Sequence, residues 1–472
     1  MASRSESELA FLSIEQAARL LRRKEISPVE LVEAALARIE RWSARLNVFL
    51  TVLGDQARRQ AKRAEREIRR GSARGPLHGI PVSLKDNFWT RGVRTTAGSK
   101  ILADFVPEKD SDAAAALAGA GAILLGKANL HEFAYGITGE NPHYGSSRNP
   151  WAPERISGGS SGGSTVAVAT GMGFASLGTD TGGSIRVPSA LCGIVGLKPT
   201  YGLVSNEGVV PLGVSFDHVG PLARSVADAC LMLEAIAGKY PRGKRRPSYQ
   251  SLRKSRPRRF RLGWPKDFFF ERVNPEIQAA IEAAAKKFES LGARIEEVPL
   301  PHLTDSVDRA SNLVVAEANY YHESQGYYPS RSEDYGDDVR RLLEWGHNLR
   351  AVDYLGGIDA RRLVQADFDA ALGKVDAILA PTSPIPAPPI GASQVRVAGE
   401  RETTVRAELL RMTRPSNLTG LPAISIPCGF TADGMPIGMQ LIGPRWGEAR
   451  LLAIALAFEE ATEWHTRHPA LS

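Results

Sequence analysis

Two serines and one lysine offer the most chemistry in this chain. Ser160 lies in the block Ser157-Gly158-Gly159-Ser160-Ser161-Gly162-Gly163-Ser164, and Ser184 stands 24 positions further on, at the end of Gly178-Thr179-Asp180-Thr181-Gly182-Gly183-Ser184. Upstream, Lys85 closes the largely apolar run Ile80-Pro81-Val82-Ser83-Leu84. A serine hydroxyl is a weak nucleophile at neutral pH and needs an adjacent base. Lysine can be that base only when burial leaves it neutral. The run before Lys85 would bury its stem, although a strand-end lysine paired with Asp86 explains the segment equally well. Two glycines ahead of Ser184 let the backbone turn sharply and aim successive N–H groups into one concavity, as an oxyanion hole requires.

Other readings of these motifs fit less well. A flexible linker would separate domains, whereas the block at 157–164 runs straight into an apolar, small-residue helix. Gly158-x-Ser160-x-Gly162 matches a nucleophile elbow, but that turn follows an apolar strand, and Asn149 to Arg155 is not one. Gly121-x-x-x-x-Gly126-Lys127 resembles a P-loop yet has Ala128 where a Ser or Thr must reach magnesium. His131-Glu132 opens like a zinc-protease helix without its second histidine. The nine histidines show no ligand spacing, so no metal and no cofactor is expected, and His131 reads as a helix residue making local hydrogen bonds.

The elements that must position these residues follow from pattern. Ser13 with Gln16 and Ser27 with Glu30 form two capping boxes, Pro28 suits a first helical turn, and Gln56 to Arg70 reads as an exposed helix. Residues 1–70 therefore form a helical arm. Strands are predicted over Ile80 to Leu84, Ala122 to Leu125 and Phe174 to Leu177, with helices over Ser111 to Ala118 and Ser164 to Thr170. The alternation gives an α/β architecture and a catalytic core over 75–230. Residues 260–472 supply a helical insert (Pro275 to Leu291, Val307 to Tyr321, Asp338 to Leu372) and further strands at Asp376 to Pro381 and Ala423 to Pro427. The Pro-rich stretch Pro381 to Pro389 reads as a rigid surface connection. No repeat or linker divides the chain, which favours a single domain over 1–472.

Bulk properties narrow the class. With 472 residues, 43% of them hydrophobic and 24% charged, the chain has ordinary globular usage. Three cysteines far apart suit reduced thiols, the polar start lacks a secretory signal, and no run is long enough to span a bilayer. A cytoplasmic protein is expected. The net charge of +7 comes from Lys239 to Arg261, which holds eleven Lys and Arg and no acid. With few aromatic residues among its charges that segment reads as a solvated loop rather than a nucleic-acid contact.

The segments Gly158 to Ser164, Gly178 to Ser189 and Gly196-Leu197-Lys198-Pro199-Thr200-Tyr201-Gly202 resemble the amidase signature family. So do Asp217 to Pro221, Asn417 to Pro422 and Pro436 to Gln440. The resemblance implies an α/β/α sandwich around a large twisted mixed sheet, with helices on both faces, and a Ser-cisSer-Lys triad. Ser184 would be the nucleophile, Ser160 the bridging serine in a cis peptide, and Lys85 the general base. Thr181, Gly182 and Gly183 would line the oxyanion hole, and Asp180 and Arg186 would either support it or serve a purely structural role. The implied activity is hydrolysis of a carboxylic amide, or of a carbamate or ester, by a stand-alone enzyme. Its expected partner is a small-molecule substrate, with no nucleic acid and no membrane, in a monomer or homodimer. The alternative is the glutamine-hydrolysing component of a tRNA-dependent amidotransferase. That branch places an aspartate for glutamine's amino group where this chain has Leu410, while Arg361 matches the arginine that meets glutamine's carboxylate. Tyr135, Tyr320, Tyr321, Trp345 and Met412 are candidates either for walls of the acyl pocket or, equally, for core packing.

Overall fold

A computed structural model describes residues 4–471 apart from 245, 247, 249, 250, 253–256 and 399–401. Much of the basic segment Lys239 to Arg261 thus lies outside the described residues. Thirteen strands are present among the described residues: β1 (Phe49–Val52), β2 (Pro81–Lys85), β3 (Ile123–Ala128), β4 (Ala175–Asp180), β5 (Val195–Lys198), β6 (His218–Ala223), β7 (Phe260–Trp264), β8 (Ala293–Glu297), β9 (Ala377–Pro381), β10 (Gln394–Val395), β11 (Thr403–Thr404), β12 (Ala423–Phe430) and β13 (Pro436–Ile442). Eleven of them make one mixed sheet in the order β1-β3-β2-β4-β6-β5-β12-β13-β9-β7-β8, and β10 pairs with β11. Fifteen α-helices among the described residues cover it, giving the expected α/β sandwich.

The central strands are buried along nearly their whole length, so they read as continuous runs instead of alternating ones. Strand β2 is parallel to both β3 and β4, with Leu84 opposite Leu177. Their carboxyl ends therefore finish side by side, where open α/β sheets build their ligand sites. Strand β6 runs antiparallel to β4 and pairs His218 with Asp180, which brings the Asp217 turn to the same edge.

Both capping boxes form, Ser13 with Gln16 and Ser27 with Glu30, each such cap being worth about 1 kcal/mol. The helices begin and end within a few residues of the sequence pattern, with three differences. Asp338 to Leu372 is two helices, Asp337–His347 and Ala351–Leu372. The break falls where Asn348 caps the first by donating from Nδ2 to Glu344 O at 2.8 Å. The arm leads into an edge strand, β1, whose four residues are too few to show a period. The Pro-rich stretch is not a surface connection. Most of it is buried, because Thr382 N donates to Gly438 O at 3.0 Å and Ile385 and Ala387 enter an apolar cluster with Leu409 and Leu410. No helix among the described residues is long and apolar enough to cross a membrane.

Candidate active site

Lys85 ends β2 with its side chain fully buried. Its Nζ lies 2.7 Å from Ser160 Oγ and 2.7 Å from Thr179 Oγ1. The other partner considered for it, Asp86, is engaged elsewhere: its carboxylate meets Lys127 Nζ at 3.1 Å and accepts from Thr96 N and Oγ1. The geometry thus pairs Lys85 with the serine. Ser160 follows a cis Gly159–Ser160 peptide, and its carbonyl accepts from His131 N at 3.1 Å. The block containing it leads directly into the buried helix Gly162–Ala169.

Ser184 reaches the same place from β4. Its carbonyl accepts from Ser161 N at 3.3 Å, which ties the two glycine-serine loops together. Gly183 has φ +143°, and a Cβ there would collide with the Thr413 side chain, so only glycine fits this turn. Among the described residues, the N–H groups of Gly182, Gly183 and Ser184 donate to no protein acceptor, and Gly182, Ser184 and Thr181 line an adjoining cavity. The Thr181 hydroxyl points away, donating to Asp217 Oδ1 at 2.5 Å. No hydrogen bond joins the Ser160 and Ser184 hydroxyls, and such contacts often close only when substrate binds.

A buried ion pair frames this loop. Asp180 accepts from Ile185 N and Arg186 N, and binds Arg186 Nε and Nη2 at 3.0 Å each. The other Arg186 donors reach Ser416 Oγ, Gln440 Oε1 and Asn417 Oδ1, so all five are engaged. The bridge therefore ties the turn after β4 to the segment after helix Val405–Arg411 and to β13. Asp180 and Arg186 act here as supports, away from the cavity lining.

Burial pushes the Lys85 ammonium down to about 7, with Asp217 and Asp180 pulling it back up. Desolvation disfavours the charged form, so a large neutral fraction exists near neutral pH. Burial likewise raises the Asp217 carboxyl to about 6, partly offset by the Thr181 hydrogen bond and the amides of Leu212 and Gly213. For Asp180, burial acts upward, but the Arg186 guanidinium outweighs it and holds the carboxyl well below its usual range. His218, also buried, is held neutral by desolvation and by Lys198.

The cavity in front of Ser184 has a volume of about 290 Å³. Tyr135 and Trp345 line it as expected, but Tyr320, Tyr321 and Met412 do not. Tyr320 is 74% exposed and Met412 sits in the main core; helical spacing does not say which face of Leu303–Ser324 looks inward. His131 differs too: its Nε2 meets Asp338 Oδ2 at 2.7 Å, a contact across 207 positions and not a local one. Sequence reasoning missed the role of Thr179, visible only once β2 and β4 are known to be parallel. It also missed Arg406 and Arg414, whose spacing on either side of Leu410 carried no signal. Among the described residues no group of three or more His, Cys, Asp or Glu is placed to hold a metal ion.

This arrangement has counterparts among known proteins. The family model described as Amidase matches residues 30–452. The A subunit of the glutamyl-tRNA(Gln) amidotransferase from Moorella thermoacetica is 40% identical, over 98% of this chain and 99% of its own length. A crystal structure of an amidase is 38% identical with a TM-score of 0.87, covering 95% of this chain and 99% of that one. The A subunit of the Thermotoga maritima glutamyl-tRNA(Gln) amidotransferase is 33% identical with a TM-score of 0.78, covering 96% and 95% respectively. These relatives overturn the expectation of a small-molecule substrate as sole partner, with no nucleic acid, for a monomer or homodimer. Their likeness runs end to end, and their name is that of one subunit of an enzyme named for a tRNA.

Proposed function

The chain belongs to the amidase family and is an amidohydrolase acting on amide C–N bonds, and from that premise we propose that Ser184 is the nucleophile, relayed through Ser160 to Lys85. The observation that carries this reading is the buried contact of 2.7 Å between Lys85 Nζ and Ser160 Oγ. Neutral Lys85 accepts the Ser160 proton as Ser160 takes that of Ser184, and the Ser184 oxygen attacks the amide carbon. The N–H groups around Thr181, Gly182 and Gly183 hold the oxyanion, a kind of stabilisation whose loss typically costs about 100- to 1,000-fold. The proton returns to the leaving nitrogen, the C–N bond breaks, and the acyl group remains on Ser184. Water, activated along the same path, then releases the acid, so one amide and one water give one carboxylic acid and one amine or ammonia. In this reading residues 75–230 supply every reacting group, while 1–70 and 260–472 support them within one domain.

The relatives favour the ammonia-releasing component of a glutamyl-tRNA(Gln) amidotransferase over a free enzyme. Two observations support the stand-alone reading. Leu410, which lines the cavity, stands where that branch is expected to hold glutamine's amino group. Arg361 donates instead to Leu418 O and Ser215, with Phe216 beneath it, and is absent from the cavity lining. Ammonia release from glutamine decides between them when measured for the chain alone and with the remaining amidotransferase subunits and charged tRNA. Strong stimulation by those partners supports the amidotransferase reading, whereas unstimulated turnover of other amides with glutamine inert supports the stand-alone one.

A further inference from the structure

Two guanidinium groups face the cavity beside Ser184, and the hydrolytic scheme uses neither. Arg406 and Arg414 both line it, together with Gly182, Leu410 and Ser184. Arg406 lies over the Tyr135 ring at 5.7 Å and, among the described residues, donates a single hydrogen bond, from Nη1 to Tyr135 O at 3.3 Å. Arg414 has one acidic neighbour, Asp308, at 3.8 Å, and its side chain is 20% exposed against 95% for Asp308. No hydrogen bond from Arg414 to protein is present among the described residues. Most donors of both groups are therefore free, in a site whose lining includes Leu212, Val314, Val315 and Leu410 and a single acid, the exposed Asp308. Burial lowers the Arg414 guanidinium to about 10, with Arg406 adding to the effect, so Arg414 remains cationic at neutral pH; burial lowers Arg406 too, with Tyr135 and Asp338 pulling it back up. Two confined cations with spare donors in a planar fork suit a carboxylate, which they can bind bidentately.

We propose that the amide substrate carries a carboxylate, received by Arg406 and Arg414 while its amide carbonyl sits at Ser184. The proposal rests on the amide-hydrolysis reading above and names its substrate class, the monoamides of short dicarboxylic acids. An ammonium group beside that carboxylate gains little, because Leu410 is apolar and Asp308, the one acid in the lining, stands in solvent.

The test compares ammonia release from glutaramic acid, the monoamide of glutaric acid, with release from glutamine and the neutral pentanamide, which have the same chain length. The wild-type protein is expected to favour glutaramic acid over pentanamide by about 100-fold in kcat/KM, chiefly through KM, as loss of a desolvated charge pair implies. Arg414→Gln and Arg406→Gln each lower that ratio at least tenfold, and Arg414→Lys restores part of it. Independently of turnover, Ser184→Ala binds glutaramic acid in calorimetry, more weakly as salt rises, and does not bind pentanamide. Equal or better turnover of pentanamide, or a ratio that survives both glutamine variants, overturns the proposal and leaves amide hydrolysis standing. Binding of glutaramic acid to Ser184→Ala without turnover of any of the three by wild type, alone or with the remaining amidotransferase subunits and charged tRNA, does the reverse: it upholds the anion site and sinks the hydrolytic scheme.

Discussion

Arg186 and Arg414 both lie near the Ser184 turn, one following it in the chain and the other lining the same cavity, and are treated in opposite ways. Arg186 is fully buried, and each of its five donors has an internal partner, among them the paired oxygens of Asp180. Arg414 borders the cavity with a single, solvent-exposed acid at 3.8 Å. A buried charge is tolerable when it is paired and hydrogen-bonded. The contrast separates a region built to hold a backbone turn still from one whose charge is left for something that arrives from outside.

Breaking the chemical side should have the largest effect. Ser184→Ala should abolish amide turnover, and Lys85→Ala should lower kcat/KM by about 100- to 10,000-fold, the usual span for a general base; steady-state ammonia release measures both. The next largest effect sharpens the comparison between the two arginines. Arg186→Ala leaves Asp180 buried and unpaired, so urea unfolding should show a loss of about 3 to 5 kcal/mol. Arg414→Gln should change stability by about 1 kcal/mol or less, since it breaks no satisfied network. Equal losses from both would erase the distinction.

The pH dependence gives a smaller effect with a defined sign. Protonated Lys85 cannot accept a proton, and burial sets its pKa at about 7, so kcat/KM should climb as pH rises through that value and then level off. Asp217 pulls the Lys85 pKa up. Asp217→Asn should therefore move the acid limb to lower pH, as a pH–rate profile of the two proteins would reveal. The smallest effect is expected at Tyr320, which is 74% exposed: Tyr320→Ala should change stability by under about 0.5 kcal/mol and leave kinetics alone.

Much of this organisation is legible in the residues alone. Ser160, Ser184 and Lys85 stand out because glycine-rich turns and a lysine closing an apolar run are local patterns, and capping boxes announce helix starts in the same way. What stays hidden depends on non-local pairing. Thr179 meets Lys85 only because β2 and β4 are parallel neighbours. Asp180 finds Asn417 across 237 positions. Periodicity misplaces Tyr320 and Tyr321 on helix Leu303–Ser324, since it marks a stripe without saying what lies against it. Composition puts the Pro-rich stretch at the surface because it describes stiffness and not depth. Arg406 and Arg414 are invisible as a pair, eight positions apart on successive helices, Val405–Arg411 and Arg414–Thr419.

Everything proposed for the chemistry turns on whether Lys85, acting through Ser160, activates Ser184. The most direct measurement is labelling by a serine-directed fluorophosphonate, followed by mass spectrometry of the modified peptide, in the wild type and in folded Lys85→Ala. The predicted result is a single adduct on Ser184 in the wild type, formed faster as pH rises through about 7, and little or no adduct in Lys85→Ala. An adduct on another serine, or undiminished labelling of Ser184 without Lys85, would contradict it.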